Sequence, residues 1–590
     1  MAKSAKGKRA KQQEPVAAPP RGPGKARFLI PIVFAAAVFM LGLLIYQPAL
    51  SGTFVFDDFD LRESASTVRL GDWGLLVSSG RPFLMATYVA NHRLSGFEPY
   101  LFHLTNVLLH CLNALILWRF LAALFASGRL DEWIQAYLRP VLIYGIPLLF
   151  LTSPVQTESV AYISSRSEVL SATFFFLALW VFVSPLREER PWVAALLILL
   201  SFVGAMGSKQ DKLTLPVVIL LLDYLLIAKL DWRRLKDTWR IYGLFAVSGV
   251  AGFLIVVQPF LFARSAGFSL DWQPYLYTQF RMYFLYLRLL FVPFGLNADY
   301  DIAPSTTLTE HLSWAALLLL LALFALVMRF HRQAPLAVFG ALFFFIALAP
   351  TSSFFPILDY AAERRLYVPS VGFFLAVLPA VFGRLRLPAR AAWVVLAAVV
   401  SAYSIGTYQR AQVWGDELSL WQDTAEKSPG KYRPWTWLGK VYNERGDYFR
   451  AIQAWQKAES LAEPGSTDYA FLLNNVGLAY ANLRDRQHAA EYYRRALEIV
   501  PTEGQFWANL GVAQLRLGDQ EGWQSFEKAV EHGKARATVY LLRGQEYFQA
   551  GRYHEAAADF QHALEMRPED PVARQNLEAA QAMIRRNEQK

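Results

Sequence analysis

The feature that most constrains this chain is a succession of uncharged apolar stretches, each close to the roughly 17 to 25 residues that a bilayer core demands of a helix. They run from Phe28 to Phe56, Pro99 to Trp118, Pro140 to Thr157, Val169 to Leu186, Pro191 to Ser208, Ile241 to Ala263, His311 to Met328, Gln333 to Leu358, Leu366 to Gly383 and Ala391 to Gln409. Leu213 to Ala228 is shorter and holds Asp223 near its end, and it too reads as a span. A chain that is 54% hydrophobic and 18% charged buries too much to be disordered, and 43 Phe, 27 Tyr and 17 Trp suit lipid and its interfaces. The expected class is therefore all-α, with a polytopic membrane domain of about eleven helices. The first stretch is too long for a secretory signal core and reads as an anchor.

The net charge of +10 does not point to nucleic acid, because residues 1–27 carry eight Lys/Arg against Glu14 alone and so supply +7 of it. That Pro- and Gly-bearing arm is expected to be disordered and cytoplasmic. Basic residues accumulate on the cytoplasmic side of short loops, which places Gly128–Arg139, Arg187–Arg190, Lys229–Arg240, Arg329–Arg332 and Arg384–Arg390 inside. Ser51–Pro99, Glu158–Glu168, Lys209–Lys212, Arg264–Glu310 and Asp359–Arg365 then fall outside. Tyr275–Phe294 carries Arg281 and Arg288 on one helical face and is expected to lie in the outer interface or re-enter, which keeps the count at eleven and the C-terminus outside. The single cysteine, Cys111, allows neither an internal disulfide nor a Cys-based zinc site.

After the last stretch the pattern changes. Gly439, Gly477, Gly511 and Gly544 stand 38, 34 and 33 residues apart, near the 34-residue period of tetratricopeptide repeats. Small residues follow at fixed offsets (Ala451, Ala489, Ala556, then Ala458, Ala496, Ala563), as do aromatics (Trp455, Tyr493, Phe560). The third repeat departs, with Trp523 where a small residue is expected and Phe526 one position early, so irregular packing is expected there. The division is then a tail at 1–27, a membrane domain at 28–409, a helical connector at 410–431 and about four repeats with a capping helix at 432–590.

Chemistry concentrates in the segment after the first span, FVFDDFDLRES, with Asp57, Asp58 and Asp60. Adjacent carboxylates raise each other's pKa and suit a general base where one faces a polar cavity. The alternative is an acidic loop that marks a solvated boundary. Cations recur in the outward loops: Arg81 and Arg93, Arg166, Lys209 and Lys212, Arg264, Arg281, Arg288, and the pair Arg364–Arg365. Such residues oppose the positive-inside trend, and anion binding or snorkelling to headgroups accounts for them. His103 and His110 share a helix face with His92 ahead of them, which fits interhelical hydrogen bonds better than a metal site. No phosphate-cradling Gly-rich loop is present, so a nucleotide donor is not expected.

The strings FVFDDFD, RPFLMATYVANHRLSGFEPYLFHLTNVLLHCLNALIL, SPVQTESVAYISSRSEVLSATFFFLAL, GSKQDKLTLP and LDYAAERRLYVPS resemble, in order, blocks of the transmembrane and tetratricopeptide repeat (TMTC) protein O-mannosyltransferases and their bacterial relatives. The resemblance covers roughly residues 30–370, and the repeats complete that family's architecture. It implies a GT-C membrane fold. It also implies Asp57 and Asp58 as the catalytic pair, a polyprenyl-phosphate sugar donor and a hydroxyl acceptor outside the cytoplasm. Relatives more often show Lys-Glu where this chain has Lys209-Gln210-Asp211.

Transfer from a lipid phosphate needs a base, cations for the departing phosphate and a lipid groove. Arg166, Lys209, Arg364 and Arg365 are the expected phosphate partners, standing beside Glu168, Asp211 and Glu363. Asp60, Arg81, His92, Glu168, Asp299 and Asp301 are candidates for holding sugar or acceptor. No cofactor is read from the sequence with certainty, and a divalent metal stays open as an alternative that is not predicted. The reading is an inverting glycosyltransferase of the inner membrane with periplasmic repeats, membrane lipids around it and a secreted or envelope protein as acceptor. The alternatives are a non-catalytic scaffold whose repeats recruit partners, and an enzyme acting on a lipid-linked glycan.

Overall fold

The computed structural model describes residues 26–63, 68, 71, 74, 79–252, 271–385, 387–532 and 536–589, and every regular element among them is helical. The basic arm, the second half of the Ile241–Ala263 stretch and Arg264 lie outside the described residues. Each of the eleven apolar stretches contains a helix. Among the described residues four helices are long and apolar enough to cross a membrane: Pro99–Ala126, Ile163–Val183, Glu310–Arg329 and Ala389–Trp414. The bent pair Leu138–Thr152 and Pro154–Ala161 makes a fifth. Leu29–Ile45, Pro191–Met206, Pro335–Thr351 and Pro369–Leu385 are apolar but shorter. Among the described residues the helices thus give four to five candidate spans and not the expected eleven at full length; the Leu213–Ala228 stretch, for one, divides into a short helix and the π-helical turn Asp223–Ile227.

The loops nonetheless sort by end. Arg129 bonds Glu188 at 2.7 Å, Lys229 pairs with Glu132, Arg187 lies 3.6 Å from Asp223, and Trp133, Phe330 and Arg384 line one pocket. These are the loops with the basic excess, and they gather at one end of the bundle. Asp223 also accepts hydrogen bonds from Thr238 and Tyr242, which makes it a structural partner there. The loops around 52–58, 158–168, 297–305 and 359–365 meet at the other end.

The first half of helix Trp272–Phe291 meets that second end. Tyr275 donates to the carbonyl of Thr351, Tyr283 packs on Phe345, and Phe291 meets Phe373 at 4.7 Å. Its last residues, Leu290 and Phe291, reach Tyr403 and the Phe373–Phe382 face of Pro369–Leu385. Pro335–Leu348 and Pro369–Leu385 cross closely. A Cβ at Gly340 would stand 2.4 Å from the Ala376 nitrogen, and one at Gly372 would stand 2.5 Å from that of Phe344. Small residues permit such backbone contact where hydrophobic association is weak.

The C-terminal helices pair as expected from the glycine period. A Cβ on Gly439, Gly477 or Gly544 would run into Trp455, Tyr493 or Phe560, the aromatic sixteen positions on. The third repeat corrects the expectation of irregular packing. Gly522 takes the small site against Gly511, with Phe526 and Ala529 following in step, so a one-residue shortening shifts the whole second helix and leaves its packing intact. Trp523 turns outward and stacks on Tyr547 at 4.6 Å. Pro571–Glu588 closes the stack.

Candidate active site

Residues 153–168 form the hub of this end of the bundle. Pro154 cannot continue the helix before it, so the chain breaks into Pro154–Gln156, Thr157–Ala161 and Ile163–Ser165 before Arg166–Val183 resumes. Broken backbone at this depth must find partners inside the protein, and nearly every polar residue from Thr152 to Glu168 is buried. Successive side chains of the hub then hold different loops. Glu158 takes Arg364, Tyr162 meets Asp57, Ser164 takes Asp58, and Glu168 takes Lys209 and Lys212.

The two acids of the first loop occupy unlike places. Asp58 is fully buried. One of its oxygens accepts from the Ser164 amide at 2.7 Å and the Ser164 hydroxyl at 2.6 Å, and the other accepts from the Val55 amide at 3.2 Å. Burial outweighs these donors and pushes its pKa up to about 7. Asp57 is exposed, and its amide donates to the Tyr162 hydroxyl oxygen at 3.1 Å. The turn that separates them from the span puts Phe56 at φ 54°, a left-handed conformation that a bulky residue adopts only under outside constraint. The constraint is aromatic: the Phe56 ring lies 5.6 Å from Trp421, 5.8 Å from Trp437 and 6.2 Å from Tyr162. The Tyr162 phenol is raised by burial and then by Asp58 and Asp57, with Arg364 opposing, so these groups share one field.

Arg364 and Arg365 diverge. Arg364 donates its amide to Glu158 at 2.9 Å, pairs with the same carboxylate through its guanidinium, and reaches Asp359 at 3.2 Å. Arg365 is buried, and its guanidinium serves Thr351, Tyr360 and Asp359 carbonyls and the Tyr275 hydroxyl. Burial alone would raise Asp359, but Arg433 and Arg364 hold it at about 2. Glu363 is buried and pushed above its usual range by that burial, although the Asn297 amide and Tyr300 hydroxyl donate to it.

The remaining candidates scatter. Arg166 is wholly enclosed, bonded to Asn106, Thr87 and the Phe102 carbonyl, with its guanidinium 4.6 Å from the Tyr88 ring centre. Lys212 bonds Glu168 at 2.8 Å and Asp211 at 2.7 Å beside the Lys209–Glu168 pair, while Gln210 donates to the Gly80 carbonyl. Arg81 is half-buried at the start of helix Pro82–Ser95, and His92 packs on Phe97 at 4.4 Å. His110 bridges Tyr367 at 2.7 Å and the Leu151 carbonyl at 3.1 Å. Asp301 is exposed; the side chain of Asp60 lies outside the described residues. Among the described residues no group of three or more His, Cys, Asp or Glu is placed to hold a metal ion.

Asp299 is taken up by the repeats: Arg433 grips it with bonds of 2.6 and 2.7 Å, Lys431 pairs with it, and Ser428 bonds its carbonyl. Arg433 also reaches Asp359 at 2.7 Å. Sequence reasoning missed Arg433, Lys431, Glu158 and Tyr162. Glu158 carried a usable signal as a lone acid between two apolar stretches, whereas Arg433 looks like any solvated residue at the start of a repeat.

Comparison with known proteins adds to this geometry. Tetratricopeptide repeat family models match residues 432–502 and 537–570. The chain is 25% identical over 445 residues to protein O-mannosyl-transferase F38B6.6 of Caenorhabditis elegans, covering 70% of this chain and 61% of that one. It is 26% identical over 487 residues to protein O-mannosyl-transferase TMTC4 of Homo sapiens, covering 70% and 64%. A thermophilic TPR protein of Thermus thermophilus matches at 19% identity and a TM-score of 0.26, over 31% of this chain and 95% of that one. The likeness to the TMTC proteins thus runs through most of the chain, which spans a little under two thirds of the length of these curated relatives.

Proposed function

We propose that this chain, similar over 70% of its length to proteins named as O-mannosyl-transferases, is a GT-C type protein O-glycosyltransferase of a cell membrane. It moves a sugar from a polyprenyl phosphate to a Ser or Thr hydroxyl on the extracytoplasmic side. The observation that supports this most is the division of labour in the first loop. Asp58 is buried and spent on holding the loop to Ser164, whereas Asp57 is exposed on a strained turn beside Tyr162. Asp57 is the catalytic base. It takes the proton of the acceptor hydroxyl as that oxygen attacks the anomeric carbon; the bond from that carbon to the phosphate oxygen breaks, and polyprenyl phosphate leaves with the electron pair, inverting the configuration.

The side chains of Arg364 and Lys209, which stay partly exposed at 24% and 17%, meet the departing phosphate electrostatically. Arg166 and Arg365, whose donors serve protein acceptors, position the loops that carry them. The repeats hold an extended polypeptide beside this loop, since the connector helix Glu417–Lys427 and the Arg433 grip fix the solenoid to the membrane domain. The test is to incubate the purified protein with radiolabelled polyprenyl-phosphate hexoses and an envelope extract. Label is expected in the protein fraction and released by mild alkaline elimination. Label in lipid-linked glycan alone would transfer the reading to a glycan acceptor, and no transfer to any fraction would favour the scaffold.

A further inference from the structure

At the end of the bundle away from the candidate active site lies a cavity of about 440 Å³, lined by Arg129, Arg187, Arg234 and Arg240 against Glu188, Asp223 and Asp237. Two of the acids are committed to the protein. Glu188 pairs with Arg129 at 2.7 Å, and Asp223 accepts from Thr238 and Tyr242 at 2.7 Å each, with Arg187 3.6 Å away. Arg234 lies 3.5 Å from Asp231 at an exposed site, where such a pair exchanges readily with another anion. Arg240 differs. Among the described residues it makes no hydrogen bond and no ion pair, and its guanidinium stands 5.3 Å from the ring centres of both Trp192 and Trp239. Two helices begin together here: Trp192 meets Trp239 at 6.3 Å in their first turns, and Phe202 meets Phe245 at 5.4 Å further on, so Pro191–Met206 and Trp239–Gly252 run side by side. No side chain caps the first turn of Pro191–Met206, and two such starts add partial positive charge to that of the arginines.

Both helices then present aliphatic residues outward, with Leu196, Leu200, Val247 and Val250 exposed, while Trp192, Trp232 and Trp239 are exposed at the level of the cavity. Indoles above an outward aliphatic face mark a membrane boundary, which puts the cavity at headgroup depth. Simple snorkelling would spread such arginines along that boundary, each reaching water separately. Here four line one cavity, and guanidinium groups offer paired N–H donors that match phosphate oxygens two at a time. We infer that this cavity binds the phosphate headgroup of an anionic lipid in the leaflet at this end of the bundle. Arg234 and Arg240 meet the phosphate, and the lipid's chains lie along the aliphatic faces of Pro191–Met206 and Trp239–Gly252. Basic pockets between apolar helices hold lipid headgroups in this way. A zwitterionic headgroup fits less well, because its amine would meet the arginines.

The test uses the full-length protein, delipidated in a neutral detergent, and reads lipid retained in native mass spectrometry together with the thermal unfolding midpoint. Phosphatidylglycerol is expected to be retained about tenfold more than phosphatidylcholine of the same chains, and to raise the midpoint further. The double variant Arg234→Gln/Arg240→Gln should lose most of that preference. Arg390→Gln, at an exposed arginine of another loop at the same end, should keep it. If the double variant does not fold, Arg234→Gln alone, at an exposed residue, is expected to reduce the preference about threefold. Competition separates two sources of the headgroup: polyprenyl phosphate displacing phosphatidylglycerol at lower concentration supports the site and makes the carrier lipid its occupant, and the reverse order makes it a diacyl lipid. Sodium phosphate raising the midpoint as far as the lipid does would make this a site for a soluble anion and overturn the lipid assignment. No preference for phosphatidylglycerol, a preference that survives the double variant, or an equal loss in Arg390→Gln overturns the inference. None of these results bears on transfer at the opposite end.

Discussion

Arg433, the second residue of the first repeat helix, holds both oxygens of Asp299 at 2.6 and 2.7 Å across 134 residues of sequence. A two-pronged guanidinium bond of this kind fixes orientation as well as distance. Arg433→Ala is therefore expected to loosen the docking of the repeats by roughly 1 to 3 kcal/mol, less than a fully unpaired buried charge would cost because Lys431 remains. Limited proteolysis should cut faster near Ser428–Lys431. Transfer to protein should fall while slow hydrolysis of the donor by water persists, and Arg433→Lys should restore little of the loss.

The repeats carry a small strain at a known place. Gly446, Gly518 and Gly551 turn between the paired helices at φ 79°, 86° and 75°, and Arg484 takes the equivalent position at φ 64°. A side chain is disfavoured there, so Arg484→Gly should stabilise the second repeat by about 0.5 to 1 kcal/mol. Chemical denaturation followed by helix circular dichroism would read this as a higher midpoint.

The side on which the repeats lie can be read by reporter. On the proposed extracytoplasmic placement of the repeats, alkaline phosphatase fused after Lys590 should be active. An active cytoplasmic reporter at that point would instead assign helix Trp272–Phe291 as a further crossing.

Much of this architecture was legible in the sequence because it rests on periodicity. Gly439 predicts Trp455 through a repeat whose packing needs a small residue facing an aromatic, and Pro99–Ala126 follows from a long uncharged run. The one-residue shift at Gly522 escaped because Trp523 occupied the expected position and drew the alignment to itself. The candidate site was legible only as composition. The acids of FVFDDFD and the cations of the outward loops were evident, but burial separates Asp58 from Asp57, and Arg166 from Arg364, and burial depends on contacts such as Asp58 with Ser164, 106 residues away. Asp299 looked like an acceptor contact because nothing local announces that Arg433 will reach it.

The Asp58 carboxyl gives a pH signature. Its folded pKa of about 7 lies above the unfolded value near 4, so between these pH values the folded state binds the extra proton. The stability this group contributes is present at low pH and is lost as pH rises through about 7. Thermal unfolding in detergent should thus show a midpoint that declines from pH 5 to pH 8, with part of the decline removed in Asp58→Asn. A slope unchanged by that substitution would assign the effect to other groups, of which buried Glu363 is the first to examine.

The central claim is that Asp57 removes the acceptor proton, and single-turnover transfer from radiolabelled polyprenyl-phosphate mannose to a Thr peptide tests it most directly. Asp57→Asn should slow transfer by about two to four orders of magnitude while donor binding and thermal stability stay near those of the unsubstituted protein. Asp58→Asn should cost less and alter stability. Wild-type rates in Asp57→Asn, or a larger loss at Asp58 with stability intact, would contradict the assignment.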